Sequence, residues 1–411
     1  MIRFLFLTCL CSTTVCFAAE HKPVFKAQTI DDTVEIGYGT AIGDVDGDGK
    51  PDVILADKKE FVWYQNPSWK KHVIAENLTE RDNVCIAARD INGDGKVEIA
   101  VGGQWNPGDT LNSGAVFYLV PPADRRQLWK AIQLPNQPVI HRMRWVKLAK
   151  NRFALVVSPL HGKGNKKGEG AGVKLIAYEK PNNPQEKWKQ TVIDDTLHVT
   201  HNLDPAQWNP NTEAEEILYA GREGAMLLSY DKGQWKTESL PLIEGSGEIR
   251  MGRLDPTARF IATIEPLHGD KLVLYQADHH KPDLLSQRTS ILSRKVLDDN
   301  IKAGHAIATA NLFGNGFQEI VAGWRTPNKD QKVGVKIYWS TDSSGKTWKS
   351  AWIDENGMAC EDLRLAGCPE MKSSGIAIKP GNLKNLTAAF QIEVSRPRGW
   401  KLGRRRGFGG L

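Results

Sequence analysis

Apolar and polar residues along this chain come in short runs, and the runs recur in sets. DVILA (52–56), FVWYQN (61–66) and WKKHVIAEN (69–77) are rich in β-branched and aromatic residues and are separated by Gly, Asp, Asn and Pro. Such runs predict strands joined by tight turns, and no long stretch has helical periodicity. The set repeats. GDVDGDGKPDVILAD (43–57) matches RDINGDGKVEIAVGG (89–103), and weaker copies lie at 145–160, 209–221, 252–266 and 310–324, with a seventh opening at 360–367. The spacing of about 45 to 60 residues suits a four-stranded propeller blade. Trp-Lys pairs recur at Trp69, Trp129, Trp188, Trp235 and Trp348, each opening a strand-like run that follows an aromatic-ended one. Each unit therefore reads as strand A, an acidic turn, then strands B, C and D.

These counts predict an all-β, seven-bladed β-propeller of four-stranded blades spanning 24–365. Residues 25–39 have the form of a strand D without its own A to C. They are expected to close the last blade, which removes the open sheet edges. The seventh unit breaks the pattern. After Ala366 there is no second acidic loop, and only GIAIK and LTAAFQIEV read as strands. Residues 366–411 are an irregular basic tail, either a divergent blade or an altered reading frame.

Composition adds an address. Met1 to Ala19 has the charged start, short apolar run and small-residue end of a secretory signal peptide, which predicts a secreted protein, periplasmic or extracellular. The apolar run is too short to span a bilayer, and no other stretch is long enough. Three of six cysteines fall in that leader, and Cys85, Cys360 and Cys368 make neither a disulfide framework nor a metal spacing. The net charge of +6 comes from six basic residues in the last 18, so the body is near neutral and no nucleic-acid face is expected. A monomer is expected.

The acidic loops carry the clearest chemistry. Asp44, Asp46, Asp48 and Asp52 stand at positions 1, 3, 5 and 9 of their loop, as do Asp90, Asn92, Asp94 and Glu98 of theirs. Alternating hard oxygen donors with glycines between them suit Ca²⁺ in a structural role. An EF-hand is excluded because position 12 is Leu55 or Val101 and no helices flank the loop.

Aligning the units on strand A places Tyr38, Asp82, His141, His201, Glu248, His305 and Glu361 at one repeat position. The strand B ends carry Gln104, His161, Arg222, Glu265 with His268, and Trp324 with Arg325. Antiparallel A and B strands put all of these around one channel mouth, opposite the acidic loops. His141, His201 and His305, with Glu248, Arg250 and Tyr38, are the candidate catalytic set. They would act as ligands for Zn²⁺ or Mn²⁺ or as acid and base, with Glu248 and Arg250 orienting or stabilising charge. His161, Arg222, Glu265, His268, Trp324, Arg325, Gln104 and Asp82 are the candidate substrate-binding set, with Trp324 and Trp105 stacking on sugar rings.

The acidic repeats resemble the FG-GAP or VCBS propeller repeats that also occur in integrin α-chains. The segments HRMRW, SPLHGKG, HVTHNLDP, GREGAMLL, GSGEIRMGRL, TIEPLHGD and EIVAGWR, with WYQNP at 63–67, resemble the propeller part of the aldos-2-ulose dehydratase/isomerase family. That resemblance implies a metal in the propeller and dehydration of aldosuloses or 1,5-anhydrofructose. The family continues into cupin-like domains that the residues after 365 do not resemble, which favours a dehydratase or lyase step over isomerisation. The expected function is a carbohydrate-active lyase or dehydratase working by β-elimination on a carbohydrate or uronate. The alternative is a non-catalytic propeller that binds a glycan or a protein.

Overall fold

The computed structural model describes residues 23–209, 211–242, 244–255, 258–276, 293–366, 374–380 and 387–393. The leader Met1–Ala19 and the arginine-rich end of the tail lie outside the described residues. Six blades, each an antiparallel sheet of four consecutive strands, occupy 39–76, 85–134, 140–194, 200–239, 248–298 and 304–355. Their inner strands are Gly39–Gly43, Cys85–Arg89, Ile140–Ala149, Thr200–Ala206, Glu248–Arg253 and Gly304–Ala310. From the first blade to the sixth, each inner strand packs against that of the next blade.

The expectation of seven blades is corrected here: six blades are built of four consecutive strands, not seven. The C-terminal strands do not make a further one of that kind. Cys360–Ala366, Ser374–Pro380 and Thr387–Glu393 instead form a composite sheet whose outer strand is Val24–Asp31, paired antiparallel to Thr387–Glu393. Cys360–Ala366 lies between the inner strands of the sixth and first blades. The physical reason is visible in the chain. The A–B connection after Ala366 lacks the alternating carboxylates of the first two blades, and the fourth strand of this sheet, Val24–Asp31, is supplied from the other end of the molecule.

The core is a ring of layers between neighbouring sheets. Ile54, Trp63, Ile86, Ile99 and Phe117 fill the first interface. Leu254, Phe260, Ile307 and Trp324 fill the one between the fifth and sixth blades. The Trp-Lys signal now has a cause. Trp129, Trp188 and Trp348 are buried or half-buried, and each indole donates to a backbone carbonyl in the turn before it: Arg125 at 3.0 Å, Pro184 at 3.1 Å and Gly345 at 2.8 Å. Each tryptophan fills apolar volume and latches the C–D turn at once. Among the described residues no helix is long and apolar enough to cross a membrane.

Candidate functional site

The inner strands are not uniform. Pairing with strand B skips one residue between Ile140 and Arg142, Thr200 and Asn202, Gly304 and Ala306, and Cys360 and Asp362. The skipped residues are His141, His201, His305 and Glu361. A β-bulge leaves one residue out of the ladder and re-aims its side chain. The first, second and fifth blades pair there without a skip. Four bulges at one repeat position therefore turn three imidazoles and a carboxylate inward.

Those imidazoles meet. His201 is 1% exposed, and its ring lies 4.7 Å from that of His141, 4.4 Å from that of His268 and 4.7 Å from that of His305. The Nδ1 of His305 is 2.6 Å from the Glu361 carbonyl oxygen, and that of His201 is 3.0 Å from both the Gly247 carbonyl and Glu248 Oε1. Those oxygens only accept, so both Nδ1 atoms carry hydrogen and both Nε2 atoms point inward. The two Nε2 atoms are 3.2 Å apart. That spacing demands a shared proton or a cation between them. His268 Nε2 and both ring nitrogens of His141 are buried without a hydrogen-bond partner.

Electrostatics keep the outer rings neutral. Burial, then the charges of His201, Arg325 and Arg142, pull His268 down to about 2. Burial and then neighbouring positive charges, Arg142 for His141 and His201 for His305, hold those rings well below the usual imidazole value. Burial alone would raise Glu248. The bond from His201 and the charges of His201, Arg250 and Arg142 bring it below its ordinary value instead.

Around this cluster runs a rim. Trp105 stacks on His141 at 5.1 Å, Tyr38 meets Trp105 edge-on at 6.5 Å, and Arg325 bonds Glu361 at 3.3 Å. Burial, then the Glu361 and Asp82 charges, raise the Tyr38 hydroxyl, so it stays protonated. Asp82 bridges to Trp105 through the backbone, and Gln104 accepts from the Arg81 N–H. Gln104 and His268, both past the end of a strand B, sit in the left-handed region with φ of 56° and 53°. His161 is half-buried with its Nδ1 unpartnered, and Arg222 clasps the carbonyls of Lys167 and Gly168. Two expected binding residues do not reach the mouth. Trp324 is 0% exposed inside the core with its indole bonded to the Lys332 carbonyl. Glu265, also 0% exposed, accepts from Thr263, Tyr275 and Arg294.

This chain is similar to an aldos-2-ulose dehydratase. The family model for the β-propeller domain of aldos-2-ulose dehydratase matches residues 113–278, and an FG-GAP-like repeat matches 44–101. The aldos-2-ulose dehydratase of Phanerodontia chrysosporium is 23% identical over 333 residues, which is 74% of this chain. The chain spans only 36% of the length of that relative. The resemblance read from the sequence motifs is thus found. Solved structures add the fold alone. The BBS1N chain in complex with ARL6DN has a TM-score of 0.55 at 12% identity, covering 92% of this chain and 99% of its own. The extracellular domain of the putative one-component system BT4673 from B. thetaiotaomicron has a TM-score of 0.51 at 10% identity, covering 88% of this chain and 39% of that chain. The dehydratase-like match takes in His141, His161, His201, Glu248, Arg250 and His268, while Tyr38, His305 and Arg325 lie outside the matched segment.

The acidic loops sit at the other ends of the inner strands. The Asp44, Asp46 and Asp48 carboxylates offer oxygens within 4.8 Å of one another. Asp44 accepts the Gly47 and Gly49 N–H groups, and Asp90 accepts those of Gly93 and Gly95. In the second loop Asn92 and Asp94 accept backbone N–H groups two residues on. The ninth residue has a different task. Asp52 is fully buried and takes the backbone N–H groups of Val45 and Asn66, and Glu98 takes the backbone N–H of Ile91 and the side-chain amide of Asn92. Glu319 takes the N–H groups of Leu312 and Phe313 in a loop without the other acids.

Reasoning from repeats missed the weight of Glu361 and Trp105. Glu361 holds His305 through its backbone and Arg325 through its side chain. The available signal was its alignment with His201 and His305.

Proposed function

We propose that this chain is a carbohydrate-active dehydratase or lyase that binds a divalent transition metal at the mouth through His201, His268 and His305. The observation that carries the reading is the pair of Nε2 atoms 3.2 Å apart, each on a ring whose Nδ1 is tied to an oxygen acceptor. Metal-bound histidines have this arrangement, with the far nitrogen fixed by a carbonyl or carboxylate. Zinc with bonds of about 2.1 Å sets its tetrahedral ligands about 3.4 Å apart, and the pair already has that spacing. The buried, unpartnered Nε2 of His268 supplies a third donor. Zn²⁺ or Mn²⁺ held there would polarise a sugar carbonyl or hydroxyl oxygen.

The chain's own groups suit β-elimination. His141, neutral and with both nitrogens free, takes the proton from the carbon beside the carbonyl. Tyr38, held protonated, gives its proton to the leaving oxygen as the C–O bond breaks, and water or an alcohol departs as the double bond forms. Trp105 lies between these two residues and offers an apolar edge to a sugar. Glu248 and Arg250 position His201. The similarity to aldos-2-ulose dehydratase supports a carbohydrate substrate. The Asp44–Asp46–Asp48 loop, and by its spacing the Asp90 loop, support structural calcium. The N-terminal leader supports export.

The test is metal analysis and a substrate screen on purified full-length protein. The expected result is one transition-metal equivalent, lost in His201→Ala while calcium is retained, and ultraviolet absorbance from a new conjugated double bond with uronate or anhydro-ketose substrates. Calcium alone, with sugar binding and no new double bond, would show a binding propeller instead.

A further inference from the structure

Just past the bulges the channel changes character. Arg142 follows His141 directly and is 2% exposed, with its Nε buried and unpartnered and its Nη1 bonded to the His141 carbonyl at 3.2 Å. Arg144, two residues on, gives Nη1 to the Met143 carbonyl at 2.7 Å and Nη2 to Asn202 Oδ1 at 3.5 Å. Arg250 and Arg364 join this layer from other inner strands. The carboxylates facing them are engaged: Asp362 holds Arg364 at 2.7 Å and accepts from Thr40, Glu248 accepts from Asn202 at 2.6 Å, and Asp204 stands 3.7 Å from Arg250. Among the described residues neither Arg142 nor Arg144 has a carboxylate within ion-pair distance. Four guanidinium groups thus face three carboxylates. Burial first, and then the charges of Arg364 and Arg250, hold Arg144 well below its usual range.

A guanidinium stays protonated, and an uncompensated one in a closed interior is costly. Its planar fork matches a bidentate oxyanion. We propose that the channel beneath the imidazoles binds a small oxyanion, a carboxylate, sulfate or phosphate group, between Arg142 and Arg144. Burial falls along the strand from Arg142 to half-buried Arg144, and Arg364 is also half-buried, so the layer opens toward the far end of the channel. The site differs from the imidazole cluster in ligand charge and in residues, and it does not rest on the dehydratase reading.

The test is calorimetry on chelator-treated full-length protein with sodium sulfate, inorganic phosphate and glucuronate at constant ionic strength. Chelation separates its outcome from that of the metal. Saturable binding of sulfate or phosphate supports a free anion as the occupant, and binding of glucuronate alone supports the carboxylate of a sugar acid. Arg142→Met should weaken that binding at least about tenfold. Arg144→Met, at a more open position, should do the same if the first variant does not fold. In anion-poor buffer Arg142→Met should unfold at the same temperature as the parent or higher, and below it in saturating anion. Binding of none of the three anions, or undiminished binding in both variants, overturns the proposal.

Discussion

The two ends of the inner strands carry polar clusters of opposite character. At the acidic-loop end the carboxylates of positions 1, 3 and 5 are half-buried to exposed and their backbone partners lie two to five residues away. At the mouth the imidazoles are buried, their partners come from other blades, and several nitrogens have none. The loop end is satisfied by its own turn. The mouth is not satisfied by the fold, and that is what the proposed metal and substrate site rests on. Buried polar groups left without partners are costly, and such exceptions concentrate where a protein binds something.

The comparison can be broken at Glu248 first. Glu248→Ala should destabilise the fold by about 3–5 kcal/mol, because Arg250 is left buried with one partner fewer, the Asn202 amide loses its acceptor and His201 keeps only the Gly247 carbonyl. Chemical denaturation measures this, and a cost below about 1 kcal/mol would show that the mouth is not held together as a network. Trp324→Ala should cost about 3–5 kcal/mol by leaving a core cavity, with no change in sugar affinity per folded molecule. Trp105→Ala should show the reverse, weakened sugar binding with the smaller stability loss. Equal effects on binding would return Trp324 to the mouth. At the other end, Asp52→Ala should cost about 1–3 kcal/mol through its orphaned turn N–H groups, with or without calcium.

Two smaller effects sharpen the contrast. Burial raises the Glu319 carboxyl from 4.5 to about 7. The folded state then holds this proton where the unfolded chain has released it. Its contribution is fully present below 4.5 and is lost as pH rises through about 7. Glu319→Gln should flatten that fall, and an unchanged pH profile of the unfolding midpoint would refute the assignment. Smallest is Asp48→Asn. It should leave stability in chelator within about 0.5 kcal/mol of the parent while lowering calcium affinity in a titration.

What could be read in advance depended on how far apart the partners lie. The blade repeat, the Trp-Lys latch and the Asp44–Asp52 loop are written within one unit, and local turn chemistry makes each legible. Alignment of the units also put His141, His201 and His305 at one level. It could not separate Trp105 from Trp324, since both end a strand B and only packing decides which ring is swallowed by the core. It also foresaw that an N-terminal strand would close the last sheet, but it counted that composite sheet as a seventh like unit.

The sequence alone determined an all-β repeat architecture, the acidic loops and a histidine-rich level in the blades. Only the tertiary structure decided that His141 and Glu361, more than two hundred positions apart, turn into one mouth, and that guanidinium groups lie beneath it. The reason is that loop geometry follows from neighbouring residues. Bulges, ring closure and burial are set by sheets pressing on one another around a common axis.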